Sequence, residues 1–134
     1  MVGFWLFALR VWLVDANAAA AMLAGIVLDL QVIRPNPAVE VDGRVVCEIN
    51  GEPLFRKADA ATAAIDALSG SGRLVEHAID DHDVREHFDD GADLIATYAD
   101  KTRELPDNAL PDLRKLLQPC SVRERCRLRR LQVR

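Results

Sequence analysis

Apolar and polar residues alternate along Leu28–Val32, with Leu28, Leu30 and Val32 on one side and Asp29 and Gln31 on the other. A period of two predicts a half-buried strand. Pro35 and Pro37 then interrupt the pattern. Next come Val39–Val41, Arg44–Ile49 and Pro53–Arg56, separated by Asp42-Gly43 and Asn50-Gly51. Both dipeptides suit two-residue hairpin turns, whose central residues need positive φ. The stretch predicts a three-stranded meander in which Val45, Cys47 and Ile49 share one face and Arg44, Val46 and Glu48 the other. Upstream, residues 4–14 are almost wholly apolar and read as a strand from their β-branched and aromatic content. Ala18–Ala24 reads as a short helix stopped by Gly25.

The pattern then changes to helical spacing. Residues 57–69 read as a helix with Ala61, Ile65 and Leu68 on its apolar stripe, Asp59 as cap and Gly70 as stop. A short helix over Arg73–Ile79 is the next expectation. The longest helix is expected over Asp83–Glu104, with Asp81 or Asp83 as cap and Pro106 as stop. Val84, Phe88, Ile95, Tyr98 and Leu105 fall on one stripe of it at about 100° per residue. In the final segment Arg123, Arg125, Arg127 and Arg129 alternate with Val122, Glu124, Cys126 and Leu128. That period fits an edge strand with one arginine face, and a disordered basic tail fits the composition equally well. The expected architecture is α+β: an antiparallel β-meander of four to five strands packed on one face by two main helices. Residues 1–119 would form a single domain, and 120–134 a basic tail or edge strand.

Composition fits this picture, because 134 residues with 28% charged side chains make one ordinary globular domain. The net charge of −4 is unevenly placed. Residues 120–134 hold six Arg against Glu124, whereas residues 76–90 hold seven acids against Arg85. Two such segments can pair within one molecule or between two. The longest uncharged run in the apolar N-terminal region, Ala16–Leu28, is 13 residues. That is short of the roughly 18–20 needed to span a bilayer, so no membrane span is expected. Ala16-Asn17-Ala18 has the form of a signal cleavage site, but Arg10 sits inside the apolar run rather than before it. The odd cysteine count (Cys47, Cys120 and Cys126) points to reduced thiols and a cytoplasmic setting.

Candidate chemistry is concentrated in His77–Asp90, which contains every histidine of the chain. On a helix, Asp83 and His87 share a face at i, i+4 and could hold one metal ion, with Asp80, His82 or Asp15 as further ligands. The histidines themselves recur every five residues and would diverge by about 140° on a helix. The plain reading of the segment is a solvated acidic face. His82-Asp83 resembles the doublet of HD-type phosphohydrolases, but the further His and Asp residues of that family are missing. Val11–Asn17, an apolar strand ending in Asp15-x-Asn17, resembles the opening of PIN-type nucleases, which implies a metal-binding role for Asp15. The β-meander after it departs from that family's mainly helical continuation, and a cap or strand-end role suits Asp15 as well. No dinucleotide, phosphate-loop or serine-elbow motif is present.

Three functions are compatible with these residues. The first is a non-catalytic binding or accessory protein, acting through protein–protein or homodimeric contacts and needing no cofactor. The second is a divalent-metal hydrolase or nuclease built on Asp83 and His87. The third is nucleic-acid contact through Arg123, Arg125, Arg127, Arg129 and Arg130, which lack interleaved aromatic residues for base stacking.

Overall fold

A computed structural model describes residues 10–15, 18–23, 25–99 and 103–134, the first two segments as backbone only. The protein is α+β. Its strands are β1 (Arg10–Asp15), β2 (Ala18–Leu23), β3 (Ile26–Val41), β4 (Arg44–Glu48), β5 (Leu74–Phe88) and β6 (Cys120–Val133). Among the described residues the helices are α1 (Glu52–Gly70), α2 (Gly91–Tyr98) and α3 (Leu110–Lys115), with a 3-10 turn over Asp107–Ala109. The sheet runs β1-β2-β3-β6-β5, and β4 pairs with β3 off that path. No helix among the described residues is long and apolar enough to cross a membrane.

The chain divides into two compact units. One comprises residues 1–33, 56–82 and 126–134, and the other 34–55 and 83–125. In the first, β2 lies between β1 and β3 in antiparallel register, with Ala20 opposite both Trp12 and Asp29. The alanine-rich segment is thus a strand, not the expected helix. Alanine's helix preference is a weak bias, and ladders on both sides of a segment override it. Residues 4–9 of the expected first strand lie outside the described residues. Val32, Ala58, Leu74, Cys126 and Leu131 are buried in this unit. The alternation at 28–32 does make a strand, but its dry side also takes the polar residues. Asp29 and Gln31 are buried, while Leu28 is 43% exposed.

The second unit holds an apolar cluster of Val39, Val41, Ile49, Phe88, Leu94, Tyr98, Leu113, Cys120 and Val122. Asp42-Gly43 forms the expected hairpin turn, with φ of 50° and 75°, and joins β3 to β4. A register shift in that hairpin breaks the simple alternation, so Val45 is 55% exposed while Ile49 is fully buried. Asn50-Gly51 does not make a hairpin. Asn50 Oδ1 accepts from Glu52 N at 3.2 Å, and the Gly51 carbonyl accepts from Leu54 N and Phe55 N. The same residues that favour a turn also favour a helix start, and Pro53 fits the first helical turn, where its missing N–H costs nothing. Residues 53–56 are therefore the start of α1, which extends the helix expected at 57–69.

The helix expected over 83–104 is replaced by the end of β5, a bend and the short α2. Asp90, not Asp81 or Asp83, is the cap: its Oδ1 accepts from Asp93 N at 2.9 Å, and Asp93 Oδ2 accepts from Asp89 N at 3.0 Å. A Cβ at Gly91 would stand 1.7 Å from the Leu113 carbonyl oxygen, so only glycine lets α2 begin this close to α3. The helix expected over 73–79 is likewise the first half of β5.

Candidate functional site

β6 carries Arg123, Arg125, Arg127 and Arg129 on alternate residues, and each of these four meets a carboxylate. Arg129 Nε donates to Glu76 Oε2 at 2.6 Å, and its Nη1 stands 2.9 Å from Asp66 Oδ1 on α1. Arg127 grips Asp81 with two bonds of 2.8 and 2.9 Å. Arg125 donates to Asp83 Oδ1 at 3.1 Å, and Arg123 lies 2.5 Å from Glu40 on β3. Arg103 pairs with Glu124 on the same strand. Partner numbers fall along β6 as they rise along β5, the signature of antiparallel neighbours. The acidic and basic segments have found each other within one molecule.

The basic segment is therefore a strand between β3 and β5, neither a tail nor an edge. Arg123, Arg125, Arg127 and Arg129 face acids of their own chain, whereas Arg130 is exposed. The bonds to Asp81 raise the Arg127 pKa above its ordinary value. Burial opposes the charge of Arg129, but bonds to Glu76 and Asp66 outweigh it and leave its pKa raised as well.

Asp83 and His87 both lie on β5. Four residues along a strand span about 13 Å, so the shared helix face that would bring them to one ion does not exist. His87 and Arg85 line a concavity of about 310 Å³ with Glu40, Asp42 and Cys120. Burial, then the nearby Asp90 and Asp93, push the Cys120 thiol above its ordinary value, so the thiolate needed for nucleophilic attack is disfavoured. His82 Nδ1 lies 3.0 Å from Asp80 Oδ2, and His77 Nε2 lies 2.9 Å from Gln132 Oε1. Among the described residues, no group of three or more His, Cys, Asp or Glu side chains could hold a metal ion. Asp15 ends β1, where the backbone alone is described.

Asp29 is a site that the sequence pattern concealed. Its side chain is 0% exposed, and Oδ1 accepts from Gln31 Nε2 at 2.7 Å. Asp29 Oδ2 and Gln31 Oε1 are buried with no hydrogen-bond partner among the described residues. A proton on Oδ2 converts it from acceptor to donor, the one polarity that Gln31 Oε1 lacks. Burial raises the Asp29 pKa, against the opposing pull of the Gln31 bond and of Arg129. The folded state thus keeps this proton to a higher pH than the unfolded chain does. Stability from this group is complete below the ordinary carboxylate pKa and is lost as pH rises through the elevated folded value. The urea midpoint of the parent chain should therefore fall relative to that of Asp29→Asn as pH rises from 4 to 8. A difference that stayed flat or ran the other way would refute the raised Asp29 pKa.

β5 is largely open to solvent. Among the described residues it is an outer strand of the sheet, with β6 its one hydrogen-bonded neighbour in the strand order. Most of its residues from Glu76 to His87 are exposed, including Ile79 at 50% and Val84 at 44%. No protein-family model, no curated protein and no solved structure matches this chain.

Proposed function

We propose that the chain is a non-catalytic binding or accessory protein that works through contact with another protein chain, taken up along the outer edge of β5. The observation that carries this reading is the edge itself: a 15-residue strand that has, among the described residues, a hydrogen-bonded neighbour on one side only. An outer strand of this length presents unpaired N–H and C=O groups that can template further pairing unless it is short, bulged, covered or guarded by charge. Strand addition derives its affinity from main-chain hydrogen bonds and its specificity from alternate side chains. β5 offers both, because Ile79 and Val84 supply apolar contacts amid charged neighbours. The β5–β6 ion-pair ladder keeps the strand fixed in the sheet while its far side stays open.

Extended peptides selected for binding to the full chain should slow amide hydrogen exchange in β5 more than in β6 or α1. Binders that left β5 exchange unchanged would overturn the reading. Thermal melts with Mg²⁺, Mn²⁺ or Zn²⁺ address the competing metal-hydrolase function, since a ligand of the native state must raise the melting point. No rise is expected at millimolar metal, and a rise abolished by Asp83→Asn or His87→Ala would replace this reading with a metal centre.

A further inference from the structure

We infer that the partner taken up along β5 is a second copy of this chain, paired antiparallel to it about a twofold axis at Val84. The inference rests on the strand-addition reading and adds the partner and the register. In an antiparallel pair related by a twofold axis normal to the sheet, residues equally far from the axial residue stand opposite each other on the same face. With Val84 on the axis, Asp83 faces Arg85, His82 faces Glu86 and Asp81 faces His87, and symmetry repeats each pair. Val84 meets its own copy at the centre, and its 44% exposure leaves it available for that contact. No two like charges are opposed between Asp80 and Phe88.

Charged residues on an outer strand commonly serve to prevent self-pairing, so the register has to distinguish the two uses. Moving the axis to Asp83 sets Asp80 against Glu86. At His82 it sets Asp81 against Asp83, and at Asp81 it sets Glu76 against Glu86. At Arg85 or Glu86 the axial residue opposes its own charge. Of the axes from Ala78 to Glu86, Ile79 is the other one free of like-charge pairs, but both its ion pairs, His77 with Asp81 and Glu76 with His82, need a protonated histidine. The Val84 register includes an Asp–Arg pair that is charged across the neutral pH range. It also prolongs the ladder already built within each chain. Asp83 accepts from Arg125 of β6 on one side and would meet Arg85 of the second copy on the other.

Cysteine cross-linking reads the axis directly. Opposed residues in an antiparallel pair have Cα atoms about 4.5–5.5 Å apart, within the range a disulfide needs. Under mild oxidation at micromolar concentration, full-length Val84→Cys should form a disulfide-linked dimer. Ile79→Cys, and the parent chain with Cys47, Cys120 and Cys126, should remain at background. Sedimentation of Arg85→Glu, which places Glu opposite Asp83 twice, should show association weakened on the order of 10-fold. Cross-linking of Ile79→Cys instead would overturn the Val84 axis. Association of the parent chain without cross-linking of either variant would move the dimer contact off β5. A parent chain monomeric at every concentration would exclude the second copy as partner, whereas the strand-addition reading fails only if no bound peptide protects β5.

Discussion

Phe88→Ala is expected to lower the free energy of unfolding by about 3–5 kcal/mol, measured as a shift in the urea midpoint. Phe88 is the last residue of β5 and belongs to the apolar cluster of its unit. Its ring meets that of Tyr98 edge to face, with centroids 6.1 Å apart. Truncation removes the transfer free energy of a whole ring and leaves a cavity beneath α2 and α3, where Leu94 and Leu113 are fully buried. Collapse into that space is opposed by the tight approach at Gly91, where backbone already touches backbone. The loss should therefore approach the upper part of the range. A change below about 1 kcal/mol would mean the cluster is not packed as described.

Phe88 also separates the features a sequence can reveal from those it cannot. Helical spacing from Val84 through Phe88, Ile95, Tyr98 and Leu105 predicts one stripe on one helix. Phe88, Ile95, Tyr98 and Leu105 do share a core, but they reach it from a strand end, a short helix and a loop. Burial was legible there because large apolar side chains must go somewhere dry. The element was not, since β5 is rich in Asp, Glu and His, which are poor strand formers. The groups that hold it as a strand lie some 40 to 55 residues away, in the arginines of β6. Local periodicity carries no trace of such a partner. The available signal was the two-residue spacing shared by Asp81 and Asp83 with Arg127 and Arg125; Glu76, five residues from Asp81, does not match the spacing of Arg129.

Elements whose determinants are local were read correctly. The Asp42-Gly43 hairpin needs only two residues that tolerate positive φ. The helix expected at 57–69 is present within α1, but its buried face and start are not the expected ones: Leu54, Phe55 and Ala58 are buried while Leu68 of the expected stripe is 40% exposed, and Asn50-Gly51-x-Pro53, not Asp59, serves as the start. For the candidate site, the i, i+4 relation of Asp83 and His87 depended wholly on a helix, and it dissolves once the segment is a strand. The buried Asp29 had no local signal, because alternation identifies two faces without saying which is wet. The exclusion of the acids from the apolar core was legible from charge alone, and so was their affinity for the basic segment.

Arg129→Met should cost about 3 kcal/mol, the low end of the range for removing one partner of a buried ion pair. Arg129 is 7% exposed, so its guanidinium is almost out of water and depends on Glu76 and Asp66 for compensation. Methionine fills much of the same volume, which isolates the electrostatic loss from that of a cavity. Glu76 and especially Asp66 retain access to water, and that holds the penalty below the full cost of a dry, unpaired charge. The triple change Arg129→Met, Glu76→Gln, Asp66→Asn should recover part of the loss, because no uncompensated charge then remains. A single change as damaging as the triple one would show that Arg129 acts by packing alone. Asp29 sharpens the test. Arg129 favours its carboxylate form, so removing the arginine should raise the Asp29 pKa further and move the fall in stability to higher pH. A pH profile of Arg129→Met that overlaid the parent's would disconnect the two residues.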